Sequence, residues 1–358
     1  MPEGLCLGRT AFEEYWAGKF TLCYFFAANH REMKRRPRLA VLLLPSLDHF
    51  MLDIIARLPA ASGWDVRGFL LHAGQPDALL QALAWADDPA RDALWFEFCW
   101  PPFPALIAAT DFAGRRIIMR VHRIEAFETD HAARAPWPKI SDVIVVSDDM
   151  AKRLRDIAPS LERSTRLHVI HNGVDIERFA PDPAIPPEPF RLGWCGNFIL
   201  RKNPTLALQI LAALHRTEPR WRLAMAAGPG DPVAFASFSH LAARLGVSMA
   251  IDWEGAVPQH EIHHWHRRNI LLLSTSIHES FGYAIAEAGA CGCDLAILDH
   301  PGAARFWPQE LLFGTVEEAV AIIKAAQPGR WQALIRDTLS LGRQISAIAG
   351  MLNHGAAP

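Results

Sequence analysis

The sequence predicts an α/β fold of two Rossmann-like, doubly wound domains facing across a cleft. Three observations carry this. Short apolar runs alternate with helical stretches of about ten residues, the pattern of βαβ units and parallel sheets. A segment with five prolines, Phe179–Pro189, interrupts the alternation. The alternation then restarts, in a chain of 358 residues, which is long enough for two cores.

The elements follow in order. Arg38–Leu44 (RLAVLLL) is a continuous apolar run stopped by Pro45, as expected of a strand buried on both faces. Phe50–Leu58 has helical periodicity, Val66–Leu71 reads as a strand, and Ala78–Ala86 as a helix. Ala93–Cys99, Arg116–Val121 and Val143–Val146 read as further strands, and Asp148–Ile157 as a helix capped near Ser147. Proline fixes φ and removes donors, so 181–189 reads as an extended linker between domains at 1–180 and 190–358. Beyond it, strands are expected at Phe190–Trp194, Trp221–Ala226, Met249–Trp253, Asn269–Ser274 and Asp294–Leu298. Helices are expected at Thr205–Thr217, Ala234–Leu245, His260–His266 and Gly282–Ala290. Ligands of such sheets bind outside the carboxyl ends of the strands.

Composition narrows the function. A net charge of −2 gives no sign of a nucleic-acid binder, and 51% apolar residues argue against disorder. The six cysteines are scattered, and Cys291-Gly-Cys293 without a second pair is a poor zinc signal. They read as reduced thiols of a cytoplasmic protein. No apolar run approaches the ~18 residues of a membrane span, and no secretory leader is apparent. Phe12–Ala28 is aromatic-rich and His30–Arg38 is basic. This segment is either a helix packed on the first domain with a solvated basic turn, or a peripheral contact with an anionic membrane on its inner face.

One stretch carries the chemistry: HESFGYAIAEAGACG, His278–Gly292. It follows the strand Asn269–Ser274 and places Glu279 in a loop and Glu287 within a helix. The first amides of a helix lack internal partners, and the helix dipole adds partial positive charge. Gly282 lets a ligand come close to that backbone. A phosphate fits there, flanked by two carboxylates that accept hydroxyl hydrogen bonds. The alternative is a Glu279 that compensates the dipole and a solvated Glu287.

This stretch resembles the E-x7-E donor signature of retaining GT-B glycosyltransferases of family GT4. Three further segments resemble that family in the same order. They are VIHNGVDIERFAP (Val169–Pro181), GWCGNFILRKNP (Gly193–Pro204) and IDWEGAVPQHEIHHWHRR (Ile251–Arg268). The resemblance covers roughly residues 140 to 310 and is looser in the first domain, through RVHRIEAF (Arg120–Phe127).

The resemblance implies a GT-B fold and transfer of a sugar, with retention, from a UDP- or GDP-linked donor. No cofactor and no metal are implied. Lys202 would contact the donor diphosphate, Glu279 the sugar and Glu287 the ribose. Gly196 and Val257 fall in the donor loops, and the amides of Phe281, Gly282 and Tyr283 would face phosphate or sugar. His122 would face the donor sugar from the first domain, or be a structural histidine. Arg123 and Glu125 are acceptor-side groups or an ion pair. Asn197 stands where the family has an arginine, so either pyrophosphate binding is weaker or Arg201 next door substitutes for it. The family's glycine-rich loop after the first strand is replaced by LLLPSLDHFMLD. The acceptor is a glycan, lipid-linked or protein molecule. A sugar-nucleotide 2-epimerase and a catalytically silent GT-B partner protein are the rival readings. His260-Glu-Ile-His263-His264 also satisfies H-E-x-x-H literally, as a zinc protease would, but no third ligand is apparent and the helix is short, flanked by Pro258 and Arg267-Arg268.

Overall fold

The computed structural model describes residues 35–45, 50–72, 77–228 and 230–354. The chain divides into a unit 1–37 and a unit 38–358, and the second unit holds both of its sheets. The segment Phe12–Ala28, most of His30–Arg38 and residues 46–49 of the replaced loop after the first strand lie outside the described residues.

Among the described residues two six-stranded sheets form, and every strand pairing in them is parallel. The first has the order β2-β1-β3-β4-β5-β6. Its strands are β1 (Arg38–Leu43), β2 (Asp65–Leu70), β3 (Ala93–Glu97), β4 (Arg116–Arg120), β5 (Asp142–Val145) and β6 (Arg166–Val169). The second has the order β12-β11-β10-β7-β8-β9. Its strands are β7 (Glu188–Asn197), β8 (Arg222–Gly228), β9 (Ile251–Trp253), β10 (Asn269–Ser274), β11 (Asp294–Leu298) and β12 (Leu312–Phe313). Leu39–Leu43 and Leu271–Leu273 are all buried, as expected of strands covered by helices on both faces.

Each sheet has one point where the strand order reverses, β1/β3 in the first and β7/β10 in the second. The gap outside the carboxyl ends of such neighbours is where the fold itself makes room for a ligand. Asn197 and Ser274 end β7 and β10, so the second gap lies between the loops that follow those residues.

The linker is shorter than its prolines suggest. β7 begins at Glu188, which pairs with Asn269 before Pro189. The chain crosses between the two domains twice, once between β6 and β7 and once after β12. Val174 N donates to Leu339 O (2.8 Å) and Leu341 N to Val174 O (2.8 Å), so the two crossings run side by side. After the second crossing, the helix Leu341–His354 lies on the first sheet although it falls within 190–358. Its Leu341, Ile345, Ile348 and Leu352 pack with Leu39, Val41, Ile54 and Leu58. Among the described residues no helix is long and apolar enough to cross a membrane.

Candidate functional site

A short turn, Leu200–Lys202, follows β7 and is tied to the loop after β10 by backbone and hydroxyl bonds. Ile277 N donates to Arg201 O (2.9 Å) and Thr275 Oγ1 to Lys202 O (2.8 Å). Trp194 Nε1 in turn donates to Thr275 Oγ1 (2.9 Å). The Lys202 stem lies along Gly196, where an added Cβ would stand 3.0 Å from Cε. Its Nζ donates to Glu279 Oε1 at 2.5 Å. Arg201 Nη1 donates to His278 O (3.0 Å) and stands 3.2 Å from Glu279 Oε2. Burial pushes the Glu279 carboxyl up, but Lys202 and Arg201 beside it bring it below the usual carboxylate range. Two cations and one carboxylate therefore leave a net positive cluster at the end of β7.

Asn197 does not join this cluster. Its Oδ1 lies over Gly228, only 2.5 Å from where a Cβ there would stand. Arg201 occupies the place beside Lys202.

The helix Tyr283–Cys291 starts next to the cluster. Gly282, at its N-cap, has φ +82°, and an added Cβ would meet Ile285 Cδ1 at 2.9 Å. Phe281 is buried against Tyr283 and Phe306, which anchors the turn. Glu287 is 7% exposed, not solvated. Gln259 Nε2 donates to its Oε1 (3.2 Å), and His266 Nε2 stands 3.8 Å from its Oε2. With Cys195, Val257 and Tyr283 it lines a cleft of about 280 Å³. Phe50 and Asp53 of the first domain line the same cleft. Burial pushes the Cys195 thiol up to about 12, so it is no nucleophile at neutral pH.

His122 sits apart from this cluster, at the carboxyl end of β4. Its Nε2 is 2.8 Å from Glu97 Oε1. Glu97 is fully buried, accepts Trp95 Nε1 (2.7 Å) and faces Arg120 Nη1 (3.3 Å). Burial raises its carboxyl, but Arg120 and His122 bring it below the usual range. An ionised carboxylate only accepts, so the Nε2 of His122 carries the proton toward Glu97. The imidazole stacks on Phe98, centroids 4.0 Å apart at 23°. Arg120 also donates to Asn172 in the crossing segment and lies against the Tyr283 hydroxyl. That contact ties the first domain to the start of the helix Tyr283–Cys291.

Arg123 and Glu125 do not pair. Arg123 pairs with Glu128, and Glu125 Oε2 accepts His122 N (2.9 Å) at the start of a helix. The H-E-x-x-H pattern loses its geometry because the helix there begins at Ile262, after His260 and Glu261. Glu97, Arg120 and Gln259 do not stand out in the sequence as site residues. For Glu97 the signal is there: one acid in the apolar strand ALWFEFC.

Residues 175–308 match the family described as glycosyl transferases, group 1. A D-inositol 3-phosphate glycosyltransferase of Frankia alni is 35% identical over 144 residues, 36% of this chain and 35% of that protein. A second, from Catenulispora acidiphila, is 28% identical over 211 residues, 53% of this chain and 48% of its own length. The chain thus spans about a third to a half of the curated relatives it matches. Among solved structures, HepE from Anabaena, in complex with UDP and glucose, superposes with a TM-score of 0.67 at 18% identity. That match covers 89% of this chain and all of HepE. Sucrose-phosphate synthase from Thermosynechococcus elongatus gives 0.62 at 16% identity, over 88% of this chain and 95% of that one. These likenesses show the fold, two Rossmann-like domains of the GT-B type.

Proposed function

We propose, for a chain of GT-B fold whose residues 175–308 carry a glycosyl transferases group 1 domain, that it is a retaining hexosyltransferase using a nucleotide-sugar donor. One observation carries the reading. Lys202 and Arg201 converge on Glu279 beside the Gly282 helix start, at the strand-order reversal of the second sheet. A diphosphate placed there meets two cations and the first amides of a helix.

Each residue then has a role. Lys202 and Arg201 stabilise the charge that builds on the leaving diphosphate. In this reading the two side chains supply the positive counter-charge by themselves, without a metal. Glu279 accepts sugar hydroxyls and Glu287, steadied by Gln259, accepts those of the ribose. His122, held by Glu97, faces the sugar from the first domain. The bond from the anomeric carbon to the phosphate oxygen breaks, and the acceptor oxygen bonds to that carbon on the same face. The acceptor's proton passes to the departing phosphate oxygen. Closure of the two domains excludes water. A UDP- or GDP-linked sugar is the donor, and no separate cofactor is required. The acceptor is a glycan, lipid-linked or protein molecule of surface glycan assembly, reached in the cytoplasm or at the inner face of the membrane.

The test is a thermal-shift screen with UDP, GDP and their sugars, since ligand bound only to the native state raises the midpoint. A shift by one nucleotide that Lys202→Ala weakens supports the donor site. No shift with any of them, in folded protein, overturns it. Binding with an intact donor after long incubation with acceptors marks a silent partner instead.

A further inference from the structure

A second polar site lies on the far side of Glu279, where the two domains meet. His278, Glu279 and Ser280 of the second domain line a small pocket there with Phe127 and Asp149 of the first, and Arg305 closes its rim. We propose that this pocket seats the attacking hydroxyl of an uncharged carbohydrate acceptor. The name "acceptor" rests on the proposed glycosyl transfer; the binding of a neutral sugar does not.

Size is the first argument. The space is about 10 Å³, enough for one oxygen with its hydrogen bonds. A hydroxyl fits and a phosphate does not. Its position is the second, because Glu279 lines both this pocket and the one that holds the Lys202 side chain. An oxygen here stands next to whatever Glu279 holds.

The chemistry of the lining is the third. His278 Nδ1 is buried without a partner among the described residues. Burial, with Arg123 and His300 nearby, holds this imidazole below its ordinary value, so it is neutral at pH 7. A neutral ring exchanges hydrogen bonds with a hydroxyl but brings no charge to a phosphate. Asp149 of the lining stands in the first turn of a first-domain helix, next to Asp148. Arg305 reaches them only at 3.9 and 3.6 Å, so both keep capacity to accept from hydroxyls. Of the charged lining, Arg305 faces Asp149 and Glu279 is already held by Lys202 and Arg201, so the lining leaves no unpaired cation for an anionic acceptor. Phe127 adds an apolar ring, 38% exposed and 4.9 Å from His278 centroid to centroid, on which the face of a sugar can rest.

The experiment is saturation-transfer NMR on the full chain, with glucose, galactose, mannose and N-acetylglucosamine and the corresponding 1-phosphates, compared in the presence of saturating UDP or GDP so that the diphosphate site is filled. At least one neutral sugar is expected to bind, and its phosphate at least tenfold more weakly. Phe127→Ala and Asp149→Ala are each expected to weaken that sugar about tenfold, with the thermal shift by nucleotide unchanged. Should either variant fail to fold, Asp149→Asn and the wild-type comparison of sugar with sugar phosphate still decide. Preference for the phosphates, no binding of any neutral sugar, or binding indifferent to both substitutions would overturn the proposal. A nucleotide that fails to bind while a sugar does would sink the proposed function and leave this site standing.

Discussion

Lys202 and Glu279 are 77 residues apart and meet at 2.5 Å across the loops that leave β7 and β10. Neither side chain is more than 18% exposed, so the contact is poorly screened by solvent. In the proposed function the lysine carries the donor diphosphate. A hydrogen bond to a charged group is worth roughly 1.5–3 kcal/mol. Lys202→Ala is therefore expected to weaken binding of the cognate nucleoside diphosphate by about tenfold to a hundredfold, measured by calorimetry. Unchanged affinity would remove Lys202 from the site.

Arg201 and Asn197 make a paired prediction. Arg201 stands beside Lys202, whereas Asn197 leans over Gly228. Arg201→Ala should weaken the same nucleotide by about tenfold, the loss of one partly exposed ionic contact. Asn197→Ala should change it less than about twofold. The reverse order would mean that Asn197 swings back toward the ligand and that Arg201 only braces the loop.

How much of this could be read from the sequence differs by element. The apolar runs RLAVLL and NILLLS became strands as expected, because burial on both faces leaves an unbroken hydrophobic signature. β6 (RLHV) leaves little sequence signal: it is a sheet edge, half-exposed, and its alternation is only four residues long. The helix Leu341–His354 was legible in principle, since Leu341, Ile345, Ile348 and Leu352 recur at helical spacing. Which sheet it covers was not, because spacing gives a face but not its partner. The site shows the same division. Glu279 and Lys202 stood out through the motifs around them. Glu97 and Arg120 meet as cross-strand neighbours on β3 and β4, a register that no local pattern states.

Asp142 contributes to the acid limb of stability. It is fully buried and accepts from Arg116 (2.7 Å), Arg166 (2.8 Å) and His168 (2.8 Å). Burial raises its carboxyl, but His168, Arg116 and Arg166 together bring it well below the ordinary carboxylate range. A carboxyl depressed in the folded state adds stability that is fully present above its unfolded value, about pH 4. That stability is lost as pH falls through the folded value. Asp142→Asn should cost on the order of 2 kcal/mol at pH 7, and the gap to wild type should narrow steadily as pH falls below about 4. Urea midpoints from pH 2.5 to 7 would show it; a gap constant with pH would contradict the assignment.

Glu97→Gln tests the first-domain side. Trp95, Arg120 and His122 all donate to this carboxylate. A glutamine offers one acceptor and one amide nitrogen, so at least one of the three donors must face N–H. A buried donor left unpaired costs roughly 1–3 kcal/mol. The variant should lose about that much stability. If His122 faces the sugar as proposed, donor turnover should also fall while nucleotide affinity holds. Full stability with unchanged turnover would mean that the three donors find other acceptors.

Gly173 is the tightest point of the double crossing. A Cβ there would stand 2.4 Å from Ser340 O and 2.7 Å from Leu341 Cα, both backbone atoms that cannot rotate away. Its own N–H donates to Gln344 Oε1 (2.9 Å), and Gln344 reaches on to Asn172, which also receives Arg120. A methyl group at this position must therefore push the two crossings apart and loosen Leu341–His354 from the first sheet. Gly173→Ala should destabilise the chain by roughly 1–3 kcal/mol, the usual range for overpacking. The effect should fall unevenly. Amide exchange should quicken along Leu341–His354 and the β1 face it covers, while β10 and the helix Tyr283–Cys291 keep their protection. Uniform loss across both sheets would mean that the crossing is not a local seam but part of one cooperative core.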